Sequence, residues 1–218
     1  MTVIKRIKLV CLALCLSISL TAAEKLPIDG NIFRAVVSGD ISRIQARLRE
    51  SPDKVREKTK RGMTPLHLAA ALGKNKVCEL LLKAYRLDVN AASPKGWTPF
   101  HLAMEGGHAA TVSLLLQYGA DVNQTALDGW NALHLAVALG RGRMASRCLQ
   151  EGADINRKTS PGDTPLMIAV VLKKKEMVRF LLEKGARTDL TDRNGQTAAQ
   201  MARSRQLNEI EAILNARP

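Results

Sequence analysis

The sequence predicts an all-α fold, a solenoid of stacked helix-turn-helix units carrying β-turn or hairpin fingers, and three regularities support it. A six-residue block recurs as Thr64-Pro65-Leu66-His67-Leu68-Ala69, Thr98-Pro99-Phe100-His101-Leu102-Ala103 and Asn131-Ala132-Leu133-His134-Leu135-Ala136. Thr164-Pro165-Leu166-Met167-Ile168-Ala169 and a degraded Thr197-Ala198-Ala199-Gln200-Met201-Ala202 follow, at steps of 34, 33, 33 and 33 residues. A glycine stands two positions ahead of every copy, at Gly62, Gly96, Gly129, Gly162 and Gly195. The connecting loop also repeats, as Gly119-Ala120-Asp121-Val122-Asn123 and Gly152-Ala153-Asp154-Ile155-Asn156, with looser versions at Leu87-Asp88-Val89-Asn90 and Gly185-Ala186-Arg187-Thr188-Asp189.

One repeat, 59–92, shows how the letters build the unit. Lys60-Arg61-Gly62-Met63 makes a tight turn, with Gly62 free to take positive φ. Thr64 caps the first helix, and its hydroxyl on an orphan backbone N–H is worth about 1 kcal/mol. Pro65 falls at the first helical position, where its missing donor costs nothing. Leu66, Leu68, Ala69 and Ala70 follow, small on one side so that neighbouring inner helices approach, and Gly73 ends the helix. Val77, Cys78, Leu80, Leu81 and Leu82 form the apolar stripe of a second, outer helix.

No single unit buries that stripe alone, so stability comes from stacking and the terminal units should differ. Segment 31–58 keeps the helix-pair pattern (Ile32, Ala35, Val36, Gly39, Ile44, Leu48) without a Thr-Pro start. Segment 192–218 keeps the turn and both helices, with Ile210, Ile213 and Leu214 inward and Arg203, Arg205 and Glu209 available to solvent. The chain therefore divides into a signal segment (1–23), a short lead-in (24–30), an N-terminal cap (31–58), four full repeats (59–92, 93–125, 126–158, 159–191) and a C-terminal cap (192–218).

Block, turn glycine and loop together resemble the ankyrin repeat, over almost the whole chain beyond residue 30. Three positions depart from that pattern. Asn131-Ala132 replaces Thr-Pro, although asparagine still caps. Arg147 stands in the column of Leu80, Leu114 and Phe180, which predicts a weaker outer helix or a guanidinium that snorkels. Lys173 replaces the glycine ending the inner helix, with Lys174 and Lys175 next to it near a helix terminus that tolerates positive charge.

The first 23 residues read as a different object. Lys5, Arg6 and Lys8 head an apolar run from Leu9 to Leu20, and Thr21-Ala22-Ala23 supplies small residues before Glu24, the order of a secretory signal peptide. Expectation therefore favours export, into a bacterial periplasm first and outside the cell second. No later stretch is long and apolar enough to span a bilayer. Removing the signal leaves 30 of the 33 basic residues and all 20 acidic ones, a net charge of +10. Such a surplus attracts acidic proteins, anionic membranes or nucleic acid over a Debye length of ~8 Å; export makes nucleic acid the weakest of these, and none is assigned. Cys78 and Cys148 lie on outer helices two repeats apart, roughly 20 Å if stacked helices sit about 10 Å from one another, against the ~7 Å a disulfide spans. They read as packed free thiols.

Catalytic chemistry finds no foothold in the letters. His67, His101 and His134 recur at repeat spacing, about 10 Å apart, whereas ligands of one zinc meet within about 2 Å of the ion. In the ankyrin family this histidine hydrogen-bonds neighbouring loop backbone. His108, after Gly107, is a family-typical turn residue. No phosphate-cradling glycine loop, metal motif or nucleophile elbow is present. No catalytic residue, cofactor or metal is assigned. Asn123-Gln124-Thr125 matches a glycosylation acceptor, but Asn123 closes a repeat loop.

The column one residue after each turn glycine holds Met63, Trp97, Trp130, Asp163 and Gln196, and it contains both tryptophans of the chain. The resemblance implies that this column is an exposed fingertip on the concave side that touches partners, and tryptophan is enriched at binding hot spots. Packing of the indoles on each other or on the neighbouring turn is the competing reading. Other contact positions of the family fall on Ala71 and Leu72, Glu105 and Gly106, Ala138 and Leu139, and Val171 and Leu172, with Lys60, Arg61 and Lys95 as a basic rim.

These features lead to the expectation of a monomeric, non-enzymatic, exported protein binding a partner that is apolar at the centre and acidic around it. Protecting, assembling or inhibiting an envelope or secreted protein all suit it. The alternatives are a charge-driven binder of anionic membrane or cell-envelope polymer and a secreted host-directed effector.

Overall fold

A computed structural model describes residues 32–216; the expected signal segment and lead-in fall outside these residues. The described residues hold twelve α-helices in six consecutive pairs. They are α1 (Ile32–Ser38) with α2 (Ile41–Glu50), α3 (Pro65–Ala71) with α4 (Asn75–Lys83), and α5 (Pro99–Gly106) with α6 (Ala109–Gln117). Then come α7 (Ala132–Leu139) with α8 (Gly142–Gln150), α9 (Pro165–Val171) with α10 (Lys175–Glu183), and α11 (Ala198–Ser204) with α12 (Asn208–Asn215). Two 3-10 turns, Pro52–Arg56 and Leu127–Gly129, complete the inventory. Among the described residues no strand forms, and one isolated antiparallel bridge joins Thr191 and Thr197.

The chain forms two compact units that divide between Asp121 and Val122. In the first, α1, α3 and α5 pack in series, as do α2, α4 and α6. In the second, α7, α9 and α11 pack in series, and α10 lies against α12. Each unit thus shows the stacked helix pairs of an all-α solenoid.

Every inner helix of the repeats begins with a reciprocal cap. The side chains of Thr64, Thr98, Asn131, Thr164 and Thr197 accept the backbone N–H three residues on. The third residue of the helix answers: Nδ1 of His67, His101 and His134, Sδ of Met167 and Oε1 of Gln200 accept the N–H of the capping residue. Two otherwise orphan donors are satisfied at each start. Asn131 caps as expected, and Pro65, Pro99 and Pro165 occupy the first helical position.

Side-chain size sets the interior. Leu66, Ala69, Ala70, Leu102, Ala103, Leu135, Ala136, Ile168 and Ala169 are buried on inner helices, and Val77, Leu81, Val112, Leu115, Val178 and Leu181 on outer ones. In the caps, Ile32, Phe33, Ala35, Val36, Ile44, Leu48, Ile210 and Leu214 are buried. Leu80, Leu114 and Phe180 are only half-buried, so Arg147 joins a partly wetted column rather than a core one. Its guanidinium snorkels to Glu151 at 2.8 Å. Lys173 sits at φ 58° and Gln206 at φ 55°, the left-handed turn that Gly73, Gly107 and Gly140 make at φ 65°, 80° and 71°.

Candidate protein-interaction surface

Each finger is a five-residue turn held at its base. Thr59 N–H donates to Met63 O at 2.9 Å, Ser93 N–H to Trp97 O at 2.9 Å, Thr159 N–H to Asp163 O at 3.0 Å and Asp192 N–H to Gln196 O at 3.0 Å. In return Thr59 Oγ1, Ser93 Oγ, Thr159 Oγ1 and Asp192 Oδ1 accept the N–H four residues on, at 2.9–3.2 Å. Glycine is required where fingers touch: Gly62 lies at φ 72°, and a Cβ there would meet Pro94 Cδ at 2.3 Å.

This geometry overturns the expected exposure of the fingertip column. Trp97 and Trp130 are each 4% exposed and Asp163 6%. The indole of Trp97 meets the His101 ring edge-on, with centroids 5.6 Å apart and planes at 86°, and Trp130 leans on His134 at 5.8 Å and 48°. The physical reason is position. The column immediately precedes the helix cap, where an apolar side chain folds back over the first turn as a staple instead of projecting into water. Met63 and Gln196 are half-buried. Neither indole presents a free face, so the tryptophan anchor expected from the sequence is withdrawn.

The remaining candidates divide by unit. Between residues 32 and 121, Lys60, Arg61 and Lys95 are exposed, while Met63 and Leu72 are half-buried. Between 122 and 216, Leu139 and Leu172 are half-buried at the ends of α7 and α9. Leu72, Leu139 and Leu172 share one register, eight residues after Thr64, Asn131 and Thr164. Two exposed cations ahead of the first finger, Arg56 and Lys58, were not among the candidates; the signal was their alternation with the more buried Val55, Glu57 and Thr59.

The histidines are structural. His67 takes the Thr64 N–H on Nδ1, so its proton sits on Nε2, which donates to Trp97 O at 3.0 Å. His134 likewise donates from Nε2 to Arg157 O at 3.0 Å, and His108 Nε2 bonds Ala71 O at 3.0 Å. Burial lowers the pKa of His67 and His134 to about 4, against smaller upward pulls from the accepting carbonyls of Trp97 and Arg157. Both rings are neutral at physiological pH. Burial raises the thiols of Cys78 and Cys148 to about 12, and both are free and buried. Among the described residues, no group of three or more His, Cys, Asp or Glu is placed to hold a metal ion. No described helix is long and apolar enough to cross a membrane.

Comparison with known proteins agrees with this geometry. The family described as Ankyrin repeats (3 copies) matches residues 32–126, 83–159 and 133–217. Ankyrin repeat domain-containing protein 13C-A of Xenopus laevis is 35% identical over 86 residues, covering 39% of this chain and 16% of that protein. Transient receptor potential cation channel subfamily A member 1 of Homo sapiens is 47% identical over 55 residues, 25% of this chain and 5% of the channel protein. Probable 26S proteasome regulatory subunit p28 of Saccharomyces cerevisiae is 42% identical over 71 residues, 32% of this chain and 31% of that subunit. The chain spans a minor part of each relative, and the likeness concerns the repeat itself.

Proposed function

This chain belongs to the ankyrin repeat family, and on that premise we propose that it is a non-catalytic interaction protein that binds another protein through its finger residues and inner-helix ends. The observation carrying this reading is the set of same-register leucines, Leu72, Leu139 and Leu172, partly exposed at the inner-helix ends, whereas Leu66, Leu102, Leu135 and Ile168 within the inner helices are buried. Each leaves a part of its apolar surface open, and covering that remainder on binding gains roughly 25 cal/mol per Å². Ankyrin repeats serve protein–protein interaction as a scaffold whose specificity resides in such exposed side chains. The yeast relative's name describes a regulatory subunit of a larger assembly; a comparable role here is to protect, assemble or inhibit a partner.

Export is the second part of the proposal. It rests on the basic head Lys5, Arg6 and Lys8, the apolar run and the small residues before Glu24. The periplasm is the first destination, with release from the cell, including delivery to a host, as the second.

A photo-crosslinking amino acid placed singly at Leu72, Leu139 and Leu172 tests each proposed contact position, with Glu79 and Arg179 on the outer helices as controls. A discrete protein adduct from the inner positions and none from the controls is expected. Equal labelling from both sets would sink the reading. So would salt-sensitive co-sedimentation with anionic vesicles or envelope polymer and no adduct at all. Cell fractionation followed by N-terminal sequencing checks export, and a chain that retains Met1 in the cytoplasm would overturn it.

A further inference from the structure

Between Lys54 and Lys60 exposure alternates residue by residue. Lys54, Arg56, Lys58 and Lys60 are exposed, whereas Val55 is buried and Glu57 and Thr59 are half-buried. Every exposed member is basic. The backbone leaves the 3-10 turn at Glu57 with φ −57° and ψ 145°, and the turn of the first finger begins at Thr59, whose carbonyl accepts the Gly62 N–H at 2.8 Å. Arg61 then extends the row to the fingertip. The second finger brings Lys95 to the same place, because Gly62 and Pro94, one residue from Arg61 and Lys95, are in contact.

Most of this charge faces solvent. Lys54 pairs with Glu57 at 3.7 Å, and Glu57 is the one acid in 54–63 and 91–98. The side chains of Arg56, Lys58, Lys60 and Lys95 make no hydrogen bond or ion pair among the described residues. The fingers of residues 122–216 differ. There Lys158 Nζ donates to Thr191 O at 2.7 Å, and Arg193 donates to Ser160 O at 3.2 Å, so those cations brace neighbouring fingers, and Asp128 adds an exposed acid.

We propose that Arg56, Lys58, Lys60 and Lys95 form a docking ribbon for an acidic segment of a protein partner. The inference rests on the protein-binding reading above and specifies the partner's chemistry. Arg56 ends the 3-10 turn, Lys58 lies on the link and Lys60 and Lys95 stand in two finger turns, so a segment carrying several carboxylates complements them where a single acid would not. Single-stranded nucleic acid needs aromatic platforms for its bases, and the neighbouring Trp97 is sealed. An anionic membrane favours apolar side chains beside the cations for insertion, and Tyr118, the one exposed large hydrophobic among the described residues, lies at the end of the α6 helix instead.

The test uses the full chain and a fluorescent peptide of alternating Glu and Ser, its Gln-for-Glu counterpart, an oligothymidylate and phosphatidylserine-containing vesicles. One variant combines Arg56→Glu, Lys58→Glu, Lys60→Glu and Lys95→Glu. The other makes the same charge change on exposed helical cations, Lys83→Glu, Arg143→Glu, Arg179→Glu and Lys184→Glu. Circular dichroism confirms that both fold. Binding of the Glu peptide should weaken as salt rises, fall at least about tenfold in the ribbon variant and change less than about twofold in the control. Equal losses in the two variants, or oligothymidylate or vesicles binding as tightly as the peptide, would overturn it. Crosslinking from Leu72 that persists undiminished in the ribbon variant, together with absent peptide binding, would overturn the ribbon while leaving protein binding in place.

Discussion

Trp97 packs edge-on against His101 within its own repeat, ring centroids 5.6 Å apart, and only 4% of the tryptophan is exposed. The indole therefore belongs to the fold's interior. Trp97→Ala should cost about 3–5 kcal/mol of stability, as large-to-small changes at buried aromatic sites do, and Trp130→Ala should behave similarly. Urea denaturation followed by circular dichroism measures this. A loss below about 1 kcal/mol with a native-like spectrum would restore the picture of a fingertip facing a partner.

His67 and His134 make stability depend on acidity. Their pKa values in the folded chain are lowered to about 4 from an ordinary 6.5, so the unfolded chain binds more protons between these limits. The contribution of their neutral forms is complete above about pH 6.5 and erodes as pH falls toward 4. By about pH 5 each should forfeit about 2 kcal/mol. Denaturation midpoints across that window should fall in the parent chain and fall less steeply in a His67→Gln/His134→Gln variant. Parallel curves for the two proteins would remove the histidines as the cause. Glutamine is the fitting replacement because Gln200 performs the same reciprocal cap in the last repeat.

The thiols offer a test of packing. Cys78 and Cys148 are buried, and burial holds both well above the usual thiol range, at about 12. The thiolate is the reactive form, so neither should react with a disulfide reagent near neutral pH until the chain is unfolded by concentrated guanidinium. Rapid labelling of either in the native chain would show that its outer helix opens.

Asn123 joins successive loops: its Nδ2 donates to Gly152 O at 3.0 Å and its Oδ1 accepts the Asp154 N–H at 3.2 Å. Asn90 does the same for Gly119 and Asp121, at 3.0 and 2.8 Å. Asn123→Ala should cost about 1 kcal/mol, since both bonds lie near water, and should speed amide exchange at Asp154. Unchanged exchange there would mean that the loop is held by other contacts.

The repeat was legible because its helix starts are written in consecutive letters: a cap, a proline and a third residue whose side chain returns to the cap. The direction of the fingertip column was not. Spacing locates Trp97, Trp130 and Asp163 in the chain, but burial depends on how the finger folds over the helix it precedes. The available signal was that an apolar residue just before a cap is a staple, and it was read instead as a contact. The leucine column was easier to place, since Leu72 and Leu172 cap their helices and Leu139 ends its own. Arg56 and Lys58 went unread beside the expected rim of Lys60, Arg61 and Lys95, because basic residues in a chain of net charge +13 look like ordinary solvated surface until burial separates alternate residues.

Lys173 shows where the repeat departs from its own preferred chemistry. It closes α9 at φ 58°, where Gly140 closes α7 at φ 71°. A side chain in this left-handed conformation crowds its own backbone at a cost of roughly 1–2 kcal/mol, whereas glycine adopts it freely but loses more entropy on folding. The net expectation for Lys173→Gly is a gain of about 0.5–1 kcal/mol, read as a higher denaturation midpoint at unchanged slope. Lys173→Ala keeps the Cβ that causes the crowding and removes the rest of the side chain with its charge, so it should gain nothing comparable. A matching gain in both variants would assign the cost to repulsion within Lys173-Lys174-Lys175 in place of backbone strain.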